Sequence, residues 1–253
     1  MPERPPTDEL YVGYLPVPAG QRSFLRWAVP VAVWMLCIVA YFWSRSQHSP
    51  GHGEWDQDHA VTLRGSLVST PDPILFTLDP AGRVEAVLLV DMGKHGAASR
   101  AARFVGHPVA ATGFIIRRGG RRMLELQSDD GAIVTDASGS PTANIPQSSP
   151  LGPVTLRGEI VDAKCFLGAM KPGDGKTHKD CATLCISGGI PAMFVAHDQQ
   201  GEASTYLLQG PDGGPLDAAL LPLIADPVEI HADLVSWGGL NVLRVRSQDV
   251  HRL

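Results

Sequence analysis

Four residues whose side chains bind soft metal ions lie close together in the second half of the chain. They are Cys165, His178, Cys181 and Cys185, and they include three of the four cysteines in the sequence. Thiolate and imidazole groups bind zinc, copper and iron–sulfur clusters. The sequence therefore predicts a metal or redox centre that is built from these four residues.

Two methionines, Met170 and Met193, add thioether sulfur atoms to this set of ligands. Thioethers favour copper among the transition metals. The Cys-x3-Cys spacing of Cys181 and Cys185 resembles the cysteine pair of binuclear copper sites and of copper-delivery proteins. The sequence departs from the binuclear pattern at Gly189, where such a site has a histidine. Covalent c-type haem is excluded because the sequence contains no Cys-x-x-Cys-His motif.

The same cysteines allow two other kinds of chemistry. A disulfide from Cys165 to Cys181 or Cys185 would close a loop of about 16 to 20 residues and contribute about 3 kcal/mol. It would leave one thiol unpaired, and that thiol could exchange with the bridge. A bridge between Cys181 and Cys185 is disfavoured, since i, i+4 positions on a helix suit ligands better than an S–S bond. Metal binding, a structural disulfide and thiol exchange all stay open at this point.

An internal duplication shows that the four residues lie on an insertion. The pentapeptide Val-Thr-Leu-Arg-Gly occurs at 61–65 and again at 154–158. Pro73 lies 12 residues after the start of the first copy, and the equivalent Pro191 lies 37 residues after the start of the second. The second copy therefore carries 25 additional residues, within the segment 159–190. A fold that is used twice, with a Cys/His cluster added to one copy, indicates that the cluster provides the chemistry.

The insertion is predicted to contain a short helix. Thr177 and Asp180 resemble a capping box at its start, and Gly188 is a typical helix end. At about 100° per residue, the histidine and the two later cysteines fall within roughly 60° of arc. We therefore expect these three side chains to lie on one face of the helix.

The fourth ligand, Cys165, follows the first strand of the second copy. A helix that packs back onto this strand would bring all four ligands together. Strand alternation predicts that Asp162 and Lys164 point to the opposite face or to its rim. Lysines at 164, 171, 176 and 179 surround the cysteines, either as a solvated face or as a positive field that lowers the thiol pKa values.

Each copy is predicted to contain three strands, a helix and two strands. The predicted elements are strands 61–68, 74–78 and 84–90, helix 97–105 and strands 109–116 and 123–126 in the first copy, and strands 154–161, 192–196 and 205–208, a helix near 216–224 and strands 228–235 and 240–245 in the second. This order resembles that of small periplasmic bacterial OB-fold proteins. The resemblance implies a mainly β fold with two tandem OB-like five-stranded barrels, at 59–127 and 151–253, which a linker at 128–150 connects.

A long apolar segment near the N-terminus predicts a membrane anchor. Residues 27–44 carry no charge and would span roughly 27 Å as a helix, enough to cross a bilayer core. We assign 24–45 to one transmembrane helix, after a cytoplasmic tail at 1–23 and before a tether at 46–58. The large residues at 41–43 argue against a signal-peptidase site. Arginines at 22 and 26, against one at 45, place both barrels on the periplasmic side of a bacterial inner membrane.

Composition and motifs restrict the function. A net charge of −5 argues against a nucleic-acid partner, and the sequence contains neither a Gly-x-Ser-x-Gly motif nor a P-loop. We therefore expect a non-catalytic accessory protein of a respiratory, redox or metal-handling assembly, with other membrane-protein subunits as partners. The alternatives are a structural or interaction protein with a disulfide-stapled insertion, and a thiol–disulfide exchange protein.

Overall fold

The computed structural model describes residues 17–46, 53–69, 71–139, 142–198 and 203–253. The chain divides into two compact units, Met1–Ser49 and Pro50–Leu253. Most of the predicted cytoplasmic tail, and residues 47–52 of the predicted tether, lie outside the described residues.

The described part of the first unit, residues 17–46, forms helix α1 (Ala19–Ser46). It is long and apolar enough to cross a membrane, as a membrane anchor or a signal sequence would be. The helix begins before the predicted residue 24, because the carbonyl of Pro18 accepts hydrogen bonds from the amides of Gln21 and Arg22 at 3.0 Å. Pro30 therefore lies inside α1.

The second unit contains two closed five-stranded barrels, which confirms the predicted mainly β fold. Its strands and helices are β1 (Glu54–Trp55), β2 (Val61–Val68), β3 (Ile74–Leu78), β4 (Val84–Val90), α2 (Ala98–Ala101), β5 (Pro108–Arg118), β6 (Arg121–Leu126), β7 (Ile133–Thr135), β8 (Ser149–Asp162), α3 (Lys179–Ser187), β9 (Ala192–His197), β10 (Ala203–Gln209), β11 (Val228–Trp237), β12 (Leu240–Arg244) and β13 (Val250–Arg252).

Both barrels close in the same order. The first follows β2–β3–β4–β6–β5 and returns to β2, and the second follows β8–β9–β10–β12–β11 and returns to β8. In each barrel the third and fifth strands pair in parallel, and all other neighbours around the barrel are antiparallel. The duplication in sequence is therefore a duplication of topology.

The glycine that ends each repeated pentapeptide has the same structural role in both barrels. A Cβ on Gly65 would lie 2.0 Å from the carbonyl oxygen of Phe76, and one on Gly158 would lie 2.0 Å from that of Val195. Neither position has room for a side chain because the neighbouring strand passes too close. This steric constraint explains why the pentapeptide ends in glycine twice.

Several segments differ from the predicted elements, including the following three. Strand β1, within the predicted tether, and β7, within the predicted linker, both pair with β5 of the first barrel. The first barrel therefore extends beyond residues 59–127. The helix predicted near 216–224 is a 3-10 helix, Ala218–Leu223, with Pro222 inside it, and proline lacks the N–H that an α-helix interior requires.

A shared apolar core joins the two barrels. It contains Phe76 and Ile116 of the first barrel, Val195 of the second, and Phe166 and Leu167 of the insertion. Each barrel also has a core of its own. The insertion therefore packs between the barrels and buries apolar side chains against both.

A buried ion pair connects the insertion to the first barrel. The Lys164 ammonium lies 2.6 Å from Glu125 Oε1, and both side chains are 4% exposed. The same ammonium donates to the backbone carbonyls of Asp91 and Gly93 at 3.0 and 2.7 Å. Lys164 therefore binds the first barrel, and the predicted strand alternation does not apply to it because β8 ends at Asp162.

We expect Lys164→Met to destabilise the second unit by about 3–5 kcal/mol, because it leaves the Glu125 carboxylate buried without a partner. The double variant Lys164→Met/Glu125→Leu should recover much of that loss. Urea unfolding of the full-length protein, followed by circular dichroism, measures both effects. Equal stabilities of the single variant and the wild type would contradict the importance of this ion pair.

Candidate metal centre

Short local structures position each predicted ligand. Strand β8 ends at Asp162, and Cys165 begins a π-helical turn, Cys165–Ala169. His178 ends a 3-10 turn that runs directly into α3, which carries Cys181 and Cys185 one helical turn apart. The C-cap of α3 is Gly188, as predicted, and its amide donates to the carbonyls of Leu184 and Cys185.

The predicted capping box at the start of this helix was wrong. The N-cap of α3 is His178 and not Thr177, and no side chain among the described residues caps the helix. The preceding 3-10 turn continues into α3 and supplies backbone geometry in place of a cap. The predicted helical face therefore holds only for Cys181 and Cys185, and the 3-10 turn positions His178.

The four predicted ligands converge. The ligand atoms of Cys165, His178 and Cys181 lie within 4.8 Å of one another, and so do those of Asp162, Cys165 and Cys185. Cys165 belongs to both groups. Cys165, Cys185 and His178 are at most 5% exposed, whereas Cys181 is half-buried. This cluster could hold a metal ion.

Asp162 is a member of the site that our strand alternation misplaced. Its side chain is fully buried, and its Oδ1 accepts a hydrogen bond of 2.8 Å from the backbone N–H of Cys165. Its Oδ2 lies 3.1 Å from Nε2 of His178. The alternation fails because β8 ends at this residue and the chain turns into helical geometry. Metal-binding histidines commonly use one ring nitrogen for the metal and the other for a carboxylate.

Lys94 of the first barrel is the other residue that our sequence analysis missed. Its Nζ lies 2.8 Å from Sγ of Cys181 and 3.6 Å from Sγ of Cys185. The lysines of the insertion were the expected source of positive charge, but Lys164 binds Glu125 and Lys179 binds Asp226 at 2.7 Å. Lys94 precedes Cys181 by 87 positions, and no local pattern in the sequence connects the two residues.

The pKa values of the buried thiols of Cys165 and Cys185 shift in opposite directions. The Cys165 thiol donates a hydrogen bond to Cys185, which lowers the pKa of Cys185 to about 7 although burial opposes the shift. The same bond, together with burial and the nearby Asp162 carboxylate, raises the pKa of Cys165. The hydrogen bond to Cys181 raises the pKa of Lys94. Cys185 is therefore the first of these two buried thiols to ionise.

The two methionines that the sequence suggested differ in their surroundings. Met193 is 4% exposed and packs in the apolar core that also contains Cys165 and Cys185, whereas Met170 is 46% exposed. A ligand role for either methionine stays a prediction.

The donor set selects soft or borderline transition metals. Three sulfur atoms and an imidazole suit copper and zinc, whereas magnesium and calcium prefer oxygen ligands.

The structure describes Cys165, Cys181 and Cys185 as free thiols, and a disulfide from Cys165 to either later cysteine stays a prediction.

Neither a family model, a curated protein nor a solved structure matches the chain. The interpretation of the cluster therefore depends on its own geometry and chemistry.

In the metal-free protein, we expect Cys165→Ala to raise the pKa of Cys185 from about 7 toward its ordinary value, because the hydrogen-bond donor to its sulfur is lost. Thiolate ultraviolet absorbance as a function of pH measures this change. Cys37→Ala, in helix α1 of the first unit, is the matched control and should leave the apparent pKa of Cys185 unchanged. The same titration in Cys165→Ala as in the wild type would contradict the assigned bond.

Proposed function

We propose that this protein is a membrane-anchored exoplasmic component of a redox or metal-handling assembly, and that its second barrel holds a soft transition-metal ion. The observation that supports this proposal most directly is the convergence of Cys165, Cys181 and Cys185 with His178 in a largely buried cluster.

Charge balance favours a bound cation. Metal-binding cysteines are deprotonated, and a buried anion without a partner costs several kcal/mol. Asp162 adds a carboxylate with no exposed surface. Lys94 supplies one positive charge, but its side chain is exposed, so solvent screens it. A transition-metal ion would supply the positive charge that the cluster needs at its centre.

His178 fits the role of a metal ligand because Asp162 orients its ring. Oδ2 of Asp162 lies 3.1 Å from Nε2 of His178, and Oδ1 accepts a hydrogen bond from the backbone N–H of Cys165. One buried group thus positions two ligands on different elements. Such outer partners commonly change metal affinity 10–100-fold when they are removed.

The apolar helix α1 supports the membrane location. The arginine bias across it favours an N-terminus in the cytoplasm and both barrels outside the inner membrane. That compartment is oxidising, and free thiols in it form disulfides. Metal coordination would keep the three thiols reduced, which supports a metal centre over unprotected cysteines.

Thiol–disulfide exchange is a second candidate function, which the pairing of Cys185 with Cys165 favours. The Cys185 thiolate would attack one sulfur of a partner disulfide, forming a mixed disulfide and releasing the other sulfur as a thiolate. That released thiolate takes the Cys165 proton, and the Cys165 thiolate then attacks Cys185, which releases the second partner thiolate. The partner disulfide is reduced by two electrons and the Cys165–Cys185 pair is oxidised.

Metal analysis, a free-thiol count and an ultraviolet–visible spectrum of the anaerobically purified full-length protein separate these functions. Stoichiometric metal with no disulfide supports the metal centre, and the charge-transfer bands distinguish copper–thiolate from iron–sulfur, whereas zinc is colourless. A metal-free protein that reduces a model disulfide supports exchange. A metal-free protein with one free thiol in the insertion and no exchange activity contradicts both.

We expect Cys185→Ser to abolish stoichiometric metal binding, because the serine hydroxyl is a poor ligand for a soft ion. The first barrel should stay folded, because Cys185 lies on an element outside its strands. Metal analysis and circular dichroism of the full-length variant test both parts, with Cys37→Ser as the matched control. Unchanged metal content in Cys185→Ser would reject this ligand.

A further inference from the structure

Lys94 approaches the cluster from a different barrel than all the candidate ligands. It lies in the turn that follows β4, whereas Asp162, the three cysteines and His178 belong to the second barrel and its insertion. Its ammonium contacts Cys181, the half-buried cysteine, at 2.8 Å. The first barrel thus reaches the solvent-facing side of the cluster.

The insertion holds the turn of Lys94 on both sides. Before Lys94, the carbonyls of Asp91 and Gly93 accept hydrogen bonds from the buried Lys164 ammonium. After it, the amide of Gly96 donates to the carbonyl of Gly188 at 2.9 Å. The position of Lys94 is therefore set by backbone contacts and does not depend on its own flexible side chain.

Two glycines make this contact possible. A Cβ on Gly188 would lie 1.9 Å from the carbonyl oxygen of Lys94, and a Cβ on Gly96 would lie 2.0 Å from that of Gly189. Any side chain at either position would push the turn away from α3. The close approach of the two backbones is what brings Lys94 within reach of the sulfur atoms.

We propose that Lys94 is a positioning residue of the metal centre, which donates hydrogen bonds to the bound Cys181 and Cys185 thiolates and so tunes the metal from the first barrel. This inference rests on the proposed metal-binding function. In this proposal the two barrels have different roles. The second barrel and its insertion supply the metal ligands, and the first barrel supplies Lys94, which donates hydrogen bonds to two of them.

The effect follows from the direct contact and not from long-range charge. Lys94 is solvent-exposed, so water and salt screen its field beyond the nearest atoms. A charge-assisted hydrogen bond at contact distance persists under these conditions. Such a bond lowers the energy of the sulfur lone pairs, and hydrogen bonds to sulfur ligands are known to tune the electronic properties of metal centres.

Cobalt(II) is a suitable probe, since the energy of its thiolate-to-metal charge-transfer band reports directly on the sulfur ligands. We expect the band of the cobalt-loaded full-length Lys94→Met protein to shift to longer wavelength than that of the wild type. Lys94→Arg, which keeps a charged donor, should lie closer to the wild type. Lys171→Met is the matched control, because Lys171 is an exposed lysine of the insertion, and it should cause no shift.

Gly188→Ala provides an independent variant that keeps Lys94 but displaces its turn. We expect the same direction of band shift as in Lys94→Met. A band in Lys94→Met at the wild-type position would overturn the proposal. Loss of cobalt binding in Lys94→Met, with binding retained in Lys171→Met and with an unchanged circular dichroism spectrum, would support it.

The metal-free protein separates failure of this inference from failure of the proposed function. If the wild type binds no cobalt, the metal centre is rejected, and with it a role of Lys94 in tuning a metal. The contact itself is still measured in the metal-free protein with a short amine-to-thiol cross-linker, followed by mass spectrometry. We expect a cross-link between Lys94 and Cys181 in the wild type and in Lys171→Met, because the ammonium lies 2.8 Å from Sγ of Cys181. Absence of this cross-link would reject the contact as well.

Discussion

The buried carboxylate of Asp162 is the interaction on which the cluster depends. It accepts the backbone N–H of Cys165, where β8 ends, and contacts the His178 ring, where α3 begins. It therefore holds together the two ends of a segment that has few regular hydrogen bonds of its own. Because the carboxylate has no exposed surface, losing either partner would leave one buried oxygen without its hydrogen bond, which is costly away from water.

The insertion carries the candidate site and also joins the two barrels. Its π-helical turn places Phe166 and Leu167 in the core that both barrels share, and Lys164 forms its ion pair with Glu125 of the first barrel. Barrel association and cluster geometry are thus coupled through adjacent residues of one chain segment. A duplicated fold can acquire chemistry in this way without altering its strands, since the added residues lie between β8 and β9 and leave the barrel closure intact.

Much of the fold could be predicted because its signals are local. Strands β3 and β4 have the predicted bounds, since short apolar runs between turn residues identify strands. The strands that were missed, β1, β7 and β13, have only two or three residues each, too few for a periodic pattern. Helix propensity near 216–224 was outweighed by Pro222, which favours a 3-10 helix there.

The sequence by itself determined the duplicated five-stranded topology, the apolar N-terminal helix and the identity of the three cysteines and one histidine that converge. These follow from repeats, hydrophobic periodicity and helical spacing, all of which are properties of neighbouring residues. Only the tertiary structure decided that Asp162 faces the cluster and that Lys94 reaches it across 87 positions. Those contacts depend on where β8 ends and on how closely two glycine-containing backbones approach, and neither quantity is encoded in a local pattern.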